Sequence, residues 1–174
     1  MSDVTLRSAT LDDFDEWFDL REAVASEGRY IGAEAPLDRA ANLAMFTASV
    51  ADDDRHTWVA VDGAGRIVGA LGGWNELGVV HLGMWVALDQ RGRGVGALLL
   101  DACVEWARAI GAHKVALEAW PHNAAALGLY RRAGFEVEGR LRRRWRRRDG
   151  SLWDAITMGL VLDEESPGCP YPDA

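Results

Sequence analysis

The 174-residue chain is 49% apolar and 26% charged, with 19 glycines and 5 prolines, a composition that excludes disorder and collagen-like repetition and fits one compact domain. The net charge is -8, and the acidic excess lies wholly in residues 1–60, which carry 13 acids and 5 bases, so generic binding to nucleic-acid phosphates is not the first reading. Two cysteines, Cys103 and Cys169, form neither a CxxC pair nor a Cys/His cluster, which argues against a zinc module or disulfide framework and for a reducing cytoplasm. No basic leader opens the chain, and no apolar run approaches the roughly 18 residues a bilayer requires; a soluble, unprocessed protein without membrane or metal is expected.

Residues 4–7 read as a short strand, and Thr10 with Asp13 three residues later forms a capping box that opens a helix. Phe14, Trp17, Phe18, Leu20 and Val24 give that helix an apolar stripe. A glycine-bearing loop over 26–36 leads to a second helix over 37–51, with Asp52, Asp53 and Asp54 in the turn that follows. Strand patterns over 56–61, 66–74 and 79–86 predict an antiparallel meander, the first two joined at Asp62-Gly63-Ala64-Gly65. Along the third strand, Val80, Leu82, Met84 and Val86 share one face while His81, Gly83, Trp85 and Ala87 share the other.

The period then changes: Val95, Leu98, Leu99, Ala102, Cys103, Trp106 and Ile110 mark an amphipathic helix that stops at Gly111. Residues 114–119 form a strand, Asn123 caps a helix reaching Ala133, and Gly134 ends it. Runs over 135–148 and 151–162 flank the hairpin signal Asp149-Gly150. No repeat or linker interrupts the pattern, so residues 1–162 are expected to form one α/β domain on a mixed sheet, with 163–174 as a loose tail.

Arg91-Gly92-Arg93-Gly94-Val95-Gly96 lies between a strand and a helix start. Glycines there let the backbone approach a ligand, and successive N–H groups with the helix dipole favour an anion such as a pyrophosphate. The Gly-Lys-Ser/Thr of a nucleoside-triphosphate loop is absent. A dinucleotide fingerprint fits better, through Gly92, Gly94 and Ala97 with Glu118 about twenty residues on; it would make the protein an oxidoreductase. Only one βαβ unit surrounds the loop, too little for a dinucleotide fold.

The loop resembles the Arg/Gln-x-x-Gly-x-Gly/Ala phosphate loop of the GNAT superfamily of N-acetyltransferases, and Asn123, Tyr130, Gly134 and Phe135 are similar to that family's later signature. The resemblance covers residues 56–162 well and the N-terminal helices loosely. It implies a GNAT-like mixed sheet of about seven strands with helices on both faces, and transfer of an acetyl group from acetyl-CoA as co-substrate to a primary amine by direct attack. Met84, Trp85 and Val86 would run alongside the cofactor, residues Arg91, Gly92, Arg93, Gly94, Val95 and Gly96 would hold its pyrophosphate, and Asn123 would help. Tyr130 would give a proton to the departing thiolate. Members often pair as homodimers, though no residue of this chain carries that implication.

An amine nucleophile must shed a proton. Glu118 matches the position of a base in members that acetylate protein N-termini, and His81 sits where others carry an acid; imidazole suits such work. The same resemblance implies that the first two helices and their connection wall the acceptor pocket, bringing Glu27, Tyr30 and Glu34 near the acetyl group. That acidity suits a cationic amine, with a polyamine, an aminoglycoside-like amine, an amino acid and a peptide N-terminus all open. Seven arginines crowd Arg140 to Arg148, with Leu141, Arg143, Trp145 and Arg147 expected on one strand face. Such a ladder can bind nucleic acid or clamp an acceptor carboxylate, but pairing with the acidic first third is the preferred expectation.

Overall fold

The computed structural model describes residues 4–163, so the expected tail and Cys169 lie outside the described residues. Seven strands form one sheet: β1 (Thr5–Ser8), β2 (Arg55–Val61), β3 (Ile67–Glu76), β4 (Val79–Val86), β5 (Lys114–Ala119), β6 (Glu136–Arg146) and β7 (Leu152–Val161). Four helices accompany them: α1 (Phe14–Ser26), α2 (Arg39–Ala51), α3 (Val95–Ala109) and α4 (Ala124–Arg132). The spatial order is β1-β2-β3-β4-β5-β7-β6. All neighbours are antiparallel except β4 and β5, which are parallel because α3 crosses between them. This topology removes the dinucleotide-fold rival, which needs a mostly parallel sheet.

The two faces of the sheet carry separate cores, as the alternation along β4 requires. Val80 and Leu82 pack with Leu99, Leu100, Cys103, Val115, Leu127, Tyr130 and Met158 beneath α3 and α4. Trp85 packs on the opposite face with Phe14, Trp17, Phe18, Val24 and Phe46 from α1 and α2. The α3 stripe is rotated from its expected position: Leu100 and Ala107 are buried, while Leu98 and Ile110 stand 38% and 39% exposed. Either row of residues satisfies helical spacing, and only contact with the sheet selects one.

Two further boundaries differ from the sequence pattern. Helix α2 begins at Arg39 rather than at 37, because Asp38 is the cap and accepts from Ala41 N. In β6 the register slips between Leu141 and Trp145, where Arg143 takes φ +54° and its N–H donates to Asp154 Oδ1 at 2.7 Å. This bulge breaks the expected alternation of Leu141, Arg143, Trp145 and Arg147, and the last of these is buried.

The capping box ahead of α1 is present, with Asp13 accepting from Thr10 N at 2.7 Å and from both guanidinium nitrogens of Arg7 at 2.7 Å. The Arg7 hydrogen bonds, aided by Thr10, pull the Asp13 carboxyl from 3.8 down to about 2. Asp13→Asn should therefore lower stability at pH 7 by about 0.5–2 kcal/mol, measured by urea unfolding. A carboxylate depressed on folding contributes fully above its unfolded pKa and loses that contribution as pH falls through the folded one. The gap between parent and variant should accordingly hold above pH 4 and narrow towards pH 2.

Candidate active site

The glycine loop after β4 is an exposed backbone cradle. Gly92 and Gly94 take φ +73° and +92°, conformations that cost a residue with a Cβ. Gly94 caps α3 without a side-chain hydrogen bond. Leu98 N bonds Gly94 O, leaving the N–H groups of Val95, Gly96 and Ala97 as the helix's unpaired donors. At Gly96 a Cβ would stand 3.2 Å from Leu129 Cδ2 and 3.6 Å from Met84 Cε. The loop, β4 and α4 thus converge at one place.

Beside the cradle the sheet opens. The parallel pairing of β4 and β5 covers only Val79↔Lys114, Val80↔Val115 and His81↔Ala116. Beyond it β4 stays paired to β3 as far as Val86, and β5 stays paired to β7 as far as Ala119. The two strands therefore diverge, and residues 82–86 of β4 have no strand partner on that side. Met84, Trp85 and Val86 lie on this open segment.

Arg91 is placed differently from the rest of the loop. Its guanidinium donates to both carboxylate oxygens of Glu27 at 2.8 and 2.5 Å and to Val86 O at 3.0 Å, and it lies 4.5 Å over the Tyr30 ring. The pair holds Glu27 below its ordinary pKa, chiefly through the Arg91 hydrogen bonds. The side chain of Arg91 is thus committed to the α1–α2 connection, and only its backbone is offered to the cradle. Arg93 is exposed at the loop's tip.

His81 and Glu118 share the sheet face that carries Trp85, since His81 is opposite Ala116 and Glu118 lies two residues further along β5. His81 stacks on Trp74 at 5.6 Å, with Nε2 3.8 Å from Glu76 Oε2. Glu118 is more occupied: it accepts from Trp145 Nε1 at 2.9 Å and from Arg144 Nε at 3.2 Å. Asn123 uses its Oδ1 to cap α4, accepting from Ala126 N at 3.2 Å. Tyr130, on the same helical face as Asn123 and Leu127, is buried beside Phe135 at 5.8 Å between ring centres. Burial raises its phenol to about 12, and it raises the neighbouring Cys103 thiol to about 12 as well.

The expected acidic wall is present but neutralised. Glu34 meets Arg147 Nε at 3.4 Å and accepts from Arg148 N at 3.0 Å. Arg148 also donates to Ala35 O and Pro36 O, and Arg147 donates to Gly32 O. Glu27 and Glu34 therefore do not face a ligand as free acids. The sequence reading missed the aromatic group behind them: Arg147 lies 4.6 Å from the Trp153 ring and 5.6 Å from Trp120, and His122 Nε2 bonds Arg29 O at 2.8 Å. The one available signal was the tryptophans set among the arginines.

The family model for the acetyltransferase (GNAT) family matches residues 14–135. A relative from Pseudomonas paraeruginosa, an L-methionine sulfoximine/L-methionine sulfone acetyltransferase, is 40% identical over 114 residues, 62% of this chain and 66% of that protein. Among solved structures, yncA from Salmonella typhimurium with acetyl-CoA superposes with a TM-score of 0.83 at 22% identity, covering 98% of this chain and 100% of that one. A phosphinothricin acetyltransferase from Sinorhizobium meliloti in complex with AcCoA gives 0.81 at 21% identity, covering 93% and 89%. No helix among the described residues is long and apolar enough to cross a membrane.

The left-handed backbone at Gly94 can be tested directly. Gly94→Ala should cost about 1–2 kcal/mol, seen as a lower denaturant midpoint at unchanged slope. An unchanged midpoint would mean that the loop readily takes another conformation.

Proposed function

The chain belongs to the acetyltransferase (GNAT) family, and from that premise we propose that it transfers an acetyl group from acetyl-CoA to the α-amine of a small amino acid, by direct attack on the thioester. The observation that carries the choice of acceptor is the neutralised wall: Glu27 and Glu34 are already paired with Arg91 and Arg147. A polyamine or other polycation would find no free acid in either. An amino acid brings its own carboxylate and needs no acid from the wall, only a guanidinium outside these pairs. The methionine sulfoximine and sulfone of the relative's name are amino acids of this kind.

In this reading the backbone of residues 92–97 cradles the pyrophosphate, and the open edge of β4 at 84–86 receives the pantetheine arm. The fit rests on the two left-handed glycines, at which an added Cβ would meet nothing within 4 Å. Acetyl-CoA supplies the acetyl group as a thioester. Direct transfer is favoured because Cys103, the one cysteine among the described residues, is fully buried with its thiol raised to about 12 and so is not an activated thiolate.

The ammonium group of the acceptor must lose a proton before it can attack. His81 is assigned that role over Glu118, because both Glu118 oxygens are engaged by Arg144 while one also accepts from Trp145. Tyr130 serves as a hydrogen-bond donor rather than a full acid. A phenol near 12 facing a thiol near 8.5 would transfer its proton uphill by about 5 kcal/mol. It can still stabilise negative charge on sulfur by hydrogen bonding. Asn123 acts through α4, whose first turn it holds. A reducing cytoplasm, expected from the cysteine usage, completes this reading.

Thiol release should be measured with L-methionine sulfone, L-methionine sulfoximine and phosphinothricin against spermidine, an aminoglycoside and an alanyl peptide. The amino acids should lead in kcat/KM by about tenfold or more; a polyamine or peptide leading by that margin would overturn the acceptor. Tyr130→Phe should lower kcat by about tenfold to a hundredfold and leave acetyl-CoA affinity within twofold by calorimetry. A phenol at about 12 stays protonated throughout the working range, so the ratio of parent to variant should be flat from pH 7 to 10. A ratio that falls across that range would place the hydroxyl in water.

A further inference from the structure

On the sheet face that carries His81 and Gly83, one arginine stands without an acid. Arg21 of α1 is half-buried, with Cζ 5.6 Å from the Trp17 ring and 5.4 Å from the Trp85 ring. Its Nη1 donates to Asn42 Oδ1. Asn42 is itself buried, and its amide nitrogen donates to Asp38 O. Three other arginines around the opening have a carboxylate partner, Arg91 with Glu27, Arg144 with Glu118 and Arg147 with Glu34. Arg21 has no carboxylate partner among the described residues, and burial alone displaces its pKa, downward.

Three buried donors in this spot lack an acceptor among the described residues: Arg21 Nε, Trp17 Nε1 and Trp85 Nε1. The Trp17 and Trp85 rings meet edge-on at 5.3 Å, so all three belong to one cluster. Buried donors are normally paired, and even a half-buried cation carries a desolvation cost that a counter-charge offsets. Space adjoins the cluster. Gly83 lies two residues before Trp85 on the same face, and a Cβ there would meet nothing within 4 Å. Its register partner Gly72 would meet only Thr57 Oγ1, at 3.8 Å. From His81 to Trp85 the strand runs about 13 Å, enough for an amino acid of methionine's length lying along it.

We propose that Arg21, with the indole N–H groups of Trp17 and Trp85, receives the carboxylate of the acceptor, so that the enzyme selects amino acids over simple amines. A carboxylate has the right chemistry: two oxygens that accept several hydrogen bonds and one charge to match one guanidinium. With the carboxylate held at Arg21, the α-amine one carbon away sits at the Trp85 end of the open edge of β4 and the side chain extends over Gly83, so the amine's proton reaches His81 through water. The inference rests on the amino-acid reading above and assigns its recognition to residues outside the glycine loop and the α1–α2 connection.

The test compares L-methionine sulfone with its decarboxylated analogue, 3-(methylsulfonyl)propan-1-amine, in the full chain with saturating acetyl-CoA. The parent should favour the amino acid. Arg21→Met, which keeps the stem and removes the charge, should raise KM for the amino acid by about tenfold to a hundredfold. Its loss of kcat/KM on the amine should be at least tenfold smaller, and Arg21→Lys should recover part of the preference. Equal losses on both substrates, or a preference that survives Arg21→Met, would overturn the carboxylate site and leave the acceptor class standing. A parent that favours the amine, or uses neither, would overturn the acceptor class instead. In that case tryptophan fluorescence decides the site: saturable change with L-methionine sulfone in the parent, lost in Arg21→Met, supports it, and no such change overturns it.

Discussion

The structure turns on the point where β4 and β5 part company after His81 and Ala116. A sheet that stayed paired through Val86 would bury every backbone group of β4, leaving nothing for an extended ligand to bind. Here each strand keeps its outer partner, β3 or β7, so the opening forms without loosening the sheet. Everything proposed for catalysis is arranged about it. The loop and α3 stand at its mouth, Tyr130 lies in the core below α4, and His81 marks its closed end.

Ion pairs hold the walls of that opening together over long stretches of chain. The connection from α1 to α2 is acidic, and arginines from two distant segments close on it: Arg91 on Glu27, and Arg147 with Arg148 on Glu34. Exposed pairs of this kind add little stability singly. Arg147 is different, because it is buried between tryptophan rings and leaving it without Glu34 would strand a charge. Four of the seven arginines crowded at one hairpin thereby have guanidinium partners, with Arg140 on Asp154 and Arg144 on Glu118 beside Arg147 and Arg148.

What could be read from the sequence was local. The meander, the Asp149-Gly150 hairpin, the Asp13 capping box and the helix stops at Gly111 and Gly134 each rest on residues close together in the chain, where period and turn chemistry act. The parting of β4 from β5 was not visible, since its register depends on a crossover through α3. The bulge at Arg143 was hidden by an alternation that looked regular. Long-range side-chain choices were equally hidden: Arg91 reads as part of a phosphate loop, yet its guanidinium meets an acid 64 residues away. Arg21 lies outside the apolar stripe of α1, and Trp17 one turn earlier is the only local cue to its stacking.

Arginine is almost the only cation this chain uses, with Lys114 the sole lysine, and its donors are spent in two ways. Where a guanidinium is matched by a carboxylate it fixes architecture, and the charge is invisible to a ligand. Where it is stacked on indoles and unmatched, as at Arg21, the protein withholds a counter-ion that something else must supply. A protein-borne acid at that point would relieve the buried donors and close the site to an acceptor's carboxylate. Selectivity for an amino acid over its decarboxylated amine then follows from one missing acid, because an amine that brings no carboxylate leaves the same buried donors unanswered.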